Sequence, residues 1–251
     1  MANLRLIVDN AHDDAILSAD QEAMPISNTQ GSKGVLKEYP WRSTDTTVQT
    51  WSTVFPEKVI DGFGLFGANL TQAATLTLEL KLATVLQDTQ VIAANGTNDW
   101  VKWFSGVSAD EVVVTLDDTT NPAGYLQFVM PFYGPKVEVA YNYDLGMKFR
   151  MPQDVEHIRT AGDSLRSGGT QLRHKKASLN FSYVLEADRI ALIDALLLKG
   201  QAYPMFVSLL PEAGGRKETD HQFIGKYFGD VGYDMVAQDY FSTPSIEFEE
   251  A

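Results

Sequence analysis

The chain has no cysteine. That absence excludes disulfide frameworks, thiolate metal sites and cysteine-nucleophile chemistry. Histidine is scarce as well: His12, His157, His174 and His221 are the whole set. No two of them stand four residues apart, and both HExxH and the GxSxG turn of serine hydrolases are missing. A triad is a spatial arrangement rather than a sequential one. Each histidine, however, lies among polar, loop-like residues, so exposure to solvent is expected for all four. Cations are few: 20 Lys and Arg face 33 Asp and Glu, a net charge of −13. Such a surface repels phosphate backbones and argues against nucleic acid as a partner. No apolar run approaches the roughly 20 residues that span a bilayer, and the longest helical one, Ile190–Leu198, contains Asp194. The segment Met1–Val8 is interrupted by Arg5 and followed by Asp9, Asp13 and Asp14, unlike a secretory signal. Synthesis in the cytoplasm, with no membrane insertion, is the expectation.

What is present points to β-structure. The 251 residues have room for one large domain or two ordinary ones, and 13 Phe with 10 Tyr favour pleated surfaces. Leu4–Val8 reads as a short strand. Residues 9–51 are irregular, with Pro25 and Pro40, and a loop of that length often carries binding or assembly contacts. Leu76–Leu82 alternates strictly, which places its leucines on one face and Thr77, Glu79 and Lys81 on the other. Glu111–Leu116 is β-branched and ends at the turn residues Asp117–Pro122. Tyr125–Phe132 and Lys136–Tyr141 are further strands. This pattern predicts a mainly β protein with a jelly-roll-like β-sandwich domain over residues 1–150.

Composition changes near Met151-Pro152. The stretch 156–176 is basic and glycine-containing, and Leu179–Leu185 alternates as a strand. Glu186–Lys199 is the one clear helix: acids open it, Lys199 closes it and Gly200 stops it. Ile190, Ile193 and Leu197, widened by Ala187, Ala191 and Leu198, form its predicted sheet-facing side. Met205–Leu210 and Ser245–Glu249 complete a smaller α+β domain over residues 151–251. No period of 20 to 50 residues repeats.

Few residues invite chemistry. Gly62-Phe63-Gly64-Leu65-Phe66-Gly67 spells GxGxxG, but a dinucleotide site needs a helix directly after it. The next element here is the strand from Leu76, so tightly packed strand glycines are the better reading. Asp13-Asp14 and Asp117-Asp118 lack the EF-hand pattern and read as solvated turns. No catalytic, cofactor-binding or metal-ligating residue is expected. Trp100 and Trp103 are candidate glycan contacts, since exposed indoles stack on sugar rings; core packing is the competing reading. Arg159, Arg166, Arg173, Lys175 and Lys176 form a basic stretch in an acidic chain, suited to the acidic surface of a second copy.

Two regions carry a resemblance. Tyr39–Thr44, Val59–Leu70 with its closing Gly67-Ala68-Asn69-Leu70, and the strand from Leu76 resemble the galactose-binding-like jelly roll of phage tail proteins. Arg166–Gly169, the strand from Leu179, the helix from Glu186, Tyr203–Pro211 and Ser245–Glu250 resemble the strand-helix-strand half of siphophage distal tail and minor tail (baseplate) proteins. The resemblance implies a non-enzymatic structural protein of the virion tail tip. It would form a homo-oligomeric ring that links tail tube and baseplate hub to host-recognition parts. The jelly roll is then either a structural decoration or, alternatively, a carbohydrate-binding module for host-surface glycans.

Overall fold

The computed structural model describes residues 3–13, 15–30, 39–93, 99–152, 156–159, 165–168, 174–237 and 239–251. Among them the chain is mainly strand with one long helix, and every strand pairing is antiparallel.

One layer of the sandwich is built on two long strands, β5 (Gln49–Phe66) and β8 (Trp100–Asp117), which pair along most of their length. Two bulges, after Val54 and after Ile60, add twist and let the strands curve. β6 (Thr75–Leu82) lies on β8, and its alternation works as predicted: Leu76, Leu78 and Leu80 are wholly buried. β7 (Val85–Ala93) forms the outer edge, β10 (Met130–Gly134) lies on the other side of β5, and β2 (Ile16–Ala19) extends that side. The facing layer is a small sheet of β3 (Glu22–Met24), β4 (Trp41–Ser43) and β9 (Gln127–Phe128). β2, β3 and β4 therefore lie in the segment expected to be an irregular loop up to residue 51. Between the layers Trp41, Trp51 and Phe128 pack as a triple, with Phe128 4.8 and 4.7 Å from the two indoles.

The second unit is a larger sheet, ordered β11 (Lys136–Glu138), β1 (Arg5–Ile7), β16 (Met205–Ser208), β17 (Gln222–Phe228), β19 (Tyr240–Glu250), β15 (Lys176–Leu185), β12 (Lys148–Arg150). β18 (Asp234–Ala237) adds to one end of β19, and β13 (Glu156–Arg159) with β14 (Leu165–Gly168) makes a separate hairpin. This sheet takes strands from both sides of residue 150. The chain leaves it after Ile7 and re-enters at Lys136, which is Ile7's register partner, so the whole sandwich is inserted between two neighbouring strands. Asp9 ties the exit point to both units, at 2.7 Å from Lys58 of the sandwich and 3.2 Å from Lys199 of the helix.

Glu186–Arg189, Ile190–Asp194 and Ala195–Lys199 form one continuous helix with a wide π-type turn in its centre. Its sheet-facing residues are Leu192, Ile193 and Leu196, while Ile190 and Leu197 are 45% and 57% exposed. The predicted face was thus rotated. Apolar residues fill nearly the whole circumference of the last turns, so periodicity alone could not select the buried side.

A third apolar cluster joins the units. Ile7, Phe206 and Ile224 on the larger sheet meet Phe66, Met130 and Phe132 on the sandwich. Trp103 enters the same seam and stacks on Phe206 at 5.4 Å with the rings 9° apart. Gly62 makes room for it, since a Cβ there would lie 2.5 Å from the indole. The GxGxxG run is therefore strand and turn, as its context suggested: Gly62 and Gly64 pair within β5, and Gly67 turns the chain at φ +62°.

Candidate functional site

The two indoles chosen as glycan contacts face inward. Trp100 is buried in the sandwich core, because the β8 phase that places Val112 and Val114 inside also brings Trp100 in after the bulges. Trp103 lies in the seam, with Phe206 against its ring and the Arg5 guanidinium 5.4 Å from its centroid. Core packing, the competing reading, holds for Trp100, and neither indole supplies an open stacking face.

The basic stretch is dispersed. Lys175 Nζ donates to the carbonyls of Thr219 (3.1 Å) and Gln222 (2.7 Å), an anchor within its own chain. Lys176 pairs with Glu249 at 3.0 Å. Arg159 is exposed and engaged, the backbone of Arg166 lies opposite Ile158 in the β13–β14 hairpin, and Arg173 lies outside the described residues.

His12 corrects the expectation of exposure. It is wholly buried between Tyr133, whose hydroxyl is 2.8 Å from Nδ1, and Thr29, whose Oγ1 is 2.7 Å from Nε2. Thr29 donates its own proton to the Ile26 carbonyl at 2.6 Å, and Tyr133 donates to Thr53 Oγ1. Burial lowers the His12 pKa from 6.5 to about 3 and raises that of Tyr133. A neutral imidazole sealed among hydroxyls, with Thr53 Oγ1 2.5 Å beyond Tyr133, has no access to substrate. It organises the sandwich core.

An open groove on the second unit is a site that the local sequence pattern does not reveal. Tyr141, Tyr183 and Tyr240 line it with Asn142 and Asp144, around a volume of about 410 Å³. The three rings are 53%, 60% and 39% exposed. Tyr183 and Tyr240 meet edge to face at 6.4 Å. Unbroken alternation along Leu179–Leu185 would put Tyr183 on the inner face with Leu179 and Phe181. A register shift between Phe181 and Val184 resets the phase, so Val184 turns in and Tyr183 turns out. The other members come from the segment after β11 and from the start of β19, which no local pattern connects to Tyr183.

Hydrogen bonding fixes the groove's polar edge. Asn142 Oδ1 accepts from the backbone N–H of Leu4 (3.2 Å) and Tyr143 (3.0 Å), which leaves its amide N–H groups as donors. Asp144 accepts from Ser182 N–H (3.1 Å) and Ser182 Oγ–H (2.6 Å), and both oxygens keep a second lone pair. The groove thus combines aromatic faces, a fixed donor and a fixed acceptor. Among the described residues no group of three metal-ligating side chains gathers.

No family model matches the chain, and no curated protein matches it. Among solved structures, the lectin domain of lectinolysin complexed with Lewis B antigen aligns with 50% of this chain and 95% of its own, at 14% identity and TM-score 0.42. The family 32 carbohydrate-binding module of NanJ from Clostridium perfringens, in complex with galactose, aligns with 52% and 98% at 14% identity and TM-score 0.40. A fucose-binding module from Streptococcus pneumoniae aligns with 54% and 99% at 10% identity and TM-score 0.38. Similarity this distant assigns neither ligand nor role to the chain.

Proposed function

We propose that this chain is a non-catalytic glycan-binding protein whose tyrosine groove takes a neutral saccharide. The observation that carries the reading is the set of three exposed tyrosines around one donor amide and one acceptor carboxylate. Pyranose rings offer apolar C–H faces to aromatic rings and hydroxyl pairs to amide and carboxylate groups, and tyrosine supplies such contact at low entropic cost. The Asp144 carboxylate and the −13 net charge disfavour sialylated or sulfated sugars. Titration against the neutral oligosaccharides retained on a glycan array tests it. Tyr183→Ala and Tyr240→Ala should each weaken binding about tenfold, about 1.4 kcal/mol, while Tyr183→Phe should retain most of it. Unchanged affinity in both alanine variants would remove the groove from the reading.

A second reading, assembly into a virion tail tip, draws on a different surface. β18 pairs with β19 on one side, and all four of its residues are exposed, with Met235 at 72% and Val236 at 52%. The helix exposes Leu197 and Leu198. Among the described residues β18 has no partner on its other edge, and such an edge with exposed apolar side chains suits pairing between copies. With the sequence resemblance, this supports a ring that contacts the tail tube and hub, in which the groove would face host glycans. A discrete oligomer by light scattering, reduced to monomer by Val236→Lys, is expected; a monomer at all concentrations counts against it.

A further inference from the structure

The face of the larger sheet opposite its helix carries a row of charges that stops one strand short. Lys226 of β17, Glu249 of β19, Lys176 of β15 and Arg150 of β12 follow one another across it in register. The signs alternate as far as Lys176, whose ammonium is 3.0 Å from Glu249. There the alternation fails, because Arg150 stands directly opposite Lys176. Like charges in that position weaken a strand pair. The neighbouring row runs Phe228, Glu247, Ser178, Lys148, so β12 ends it with a cation as well. Lys148 and Arg150 are exposed, and among the described residues no carboxylate pairs with either. With Lys176, Ser178 and Glu247 they line an open groove of about 240 Å³. A chain of net charge −13 thus keeps two unpaired cations on one short strand.

β12 is the last strand on its side of the sheet, and among the described residues no strand pairs with its outer edge. Such an edge can take up a further strand, which bonds to it through the backbone and places alternate side chains on each face. Lys148 and Arg150 are two residues apart, about 7 Å along the strand, the spacing of alternate side chains on an added one. Phe149 between them turns to the other face, against the apolar cluster that holds Ala177, Phe248 and Tyr227. A strand with acids at alternate positions and apolar residues between them would continue both faces. Its carboxylates would lie beside Lys148 and Arg150, and its apolar side chains beside Phe149. β19 already has this pattern within the fold, with Glu247 and Glu249 on one face and Phe248 buried on the other. Glu247 itself lies two strands inward from β12, about 10 Å away, so it borders the groove and leaves the outer edge to an acid. We infer that the outer edge of β12 is a docking site for an extended acidic segment of another protein, of the pattern Glu-x-Glu with x apolar.

The test is fluorescence anisotropy on the full chain with a labelled Thr-Val-Glu-Val-Glu-Val-Thr peptide, blocked at both ends. Two controls are an isomer with its glutamates adjacent and the same peptide with lysines in their place. The alternating peptide should saturate below about 1 mM at low salt and be released as salt is raised. The isomer should bind at least about fivefold more weakly, and the lysine peptide not at all. Lys148→Glu and Arg150→Glu should each weaken the alternating peptide at least about tenfold. Arg150→Glu should also melt no lower than the parent, because it replaces a like-charge pair with an opposite one. Tyr183→Ala, in the separate tyrosine groove, should leave peptide binding unchanged. The inference would be overturned by no saturable binding of the alternating peptide, by equal binding of the isomer or of a sulfated tetrasaccharide, or by unchanged affinity in both charge variants. A lower melting point for Arg150→Glu would also overturn it, since the guanidinium would then be bonded within the fold. A parent that self-associates and is returned to monomer by Arg150→Glu would assign the edge to a second copy instead.

Discussion

A histidine that looks like a loop residue in sequence can be a core residue, and His12 illustrates why. Its neighbours Asn10 and Asp13 are polar, but they are buried with it, and Asn10 bonds the Pro131 carbonyl and the Tyr133 N–H. The burial comes from β10, more than a hundred residues away, so no local window carries the signal. The consequence is measurable. Burial holds the folded His12 pKa at about 3, against an ordinary 6.5. Between those values the unfolded chain binds a proton that the folded chain does not, so stability is fully present above pH 6.5 and declines as pH falls. The slope should be roughly 1 kcal/mol per pH unit. Urea unfolding at pH 7, 6 and 5 should show this decline in the parent and a flatter profile in His12→Gln, since His157, His174 and His221 are common to both. Parallel profiles would mean that His12 is protonated in the fold. Gly62 was legible as a packing glycine, although Trp103 as its reason was not. Gly62→Ala would bring a methyl against the indole and should cost about 1–3 kcal/mol, read as a lower denaturation midpoint at unchanged slope.

At the level of elements, alternation was reliable wherever the strand was regular and misleading wherever a bulge intervened. Leu76, Leu78 and Leu80 point inward as their period requires. Tyr183 does not, because the shift before Val184 inverts the phase, and a bulge has no signature in a run of apolar and polar letters. Leu4–Val8 read correctly as a strand, but its partners β11 (Lys136–Glu138) and β16 (Met205–Ser208) lie far along the chain from it. The β6–β7 hairpin turns through Ala83 and Thr84, with φ +49° and +69°. Two-residue turns with both φ values positive favour Asn-Gly, so the signal that normally marks a hairpin is absent here. Ala83→Asn with Thr84→Gly should raise stability by about 1 kcal/mol, seen as a higher melting temperature. A lower one would mean that the hydrogen bonds Ala83 N–H donates to the Asp110 carboxylate depend on the present turn.

For the whole molecule, the insertion of the sandwich between β1 and β11 decides what can be separated. Composition suggested a division near residue 150, whereas the larger sheet runs through that point, a long-range pairing that one sequence does not display. Joining Val8 to Lys136 through a short Gly-Ser linker should keep the larger sheet and its helix, since Ile7 and Lys136 are already register partners. The excised unit should give a cooperative thermal transition but self-associate, because Ile7, Phe206 and Ile224 lose their cover. A chain without such a transition would show that the seam is needed for folding.

The tyrosine groove is the feature on which a binding role depends, and one comparison addresses it directly. Labelled parent protein and a Tyr183→Ala/Tyr240→Ala double variant are applied side by side to the same glycan array, with melting curves matched beforehand. The parent should retain a group of neutral oligosaccharides that the double variant releases, with anionic glycans absent from both patterns. A blank array for the parent, or the same pattern for both proteins, would contradict glycan binding through this groove.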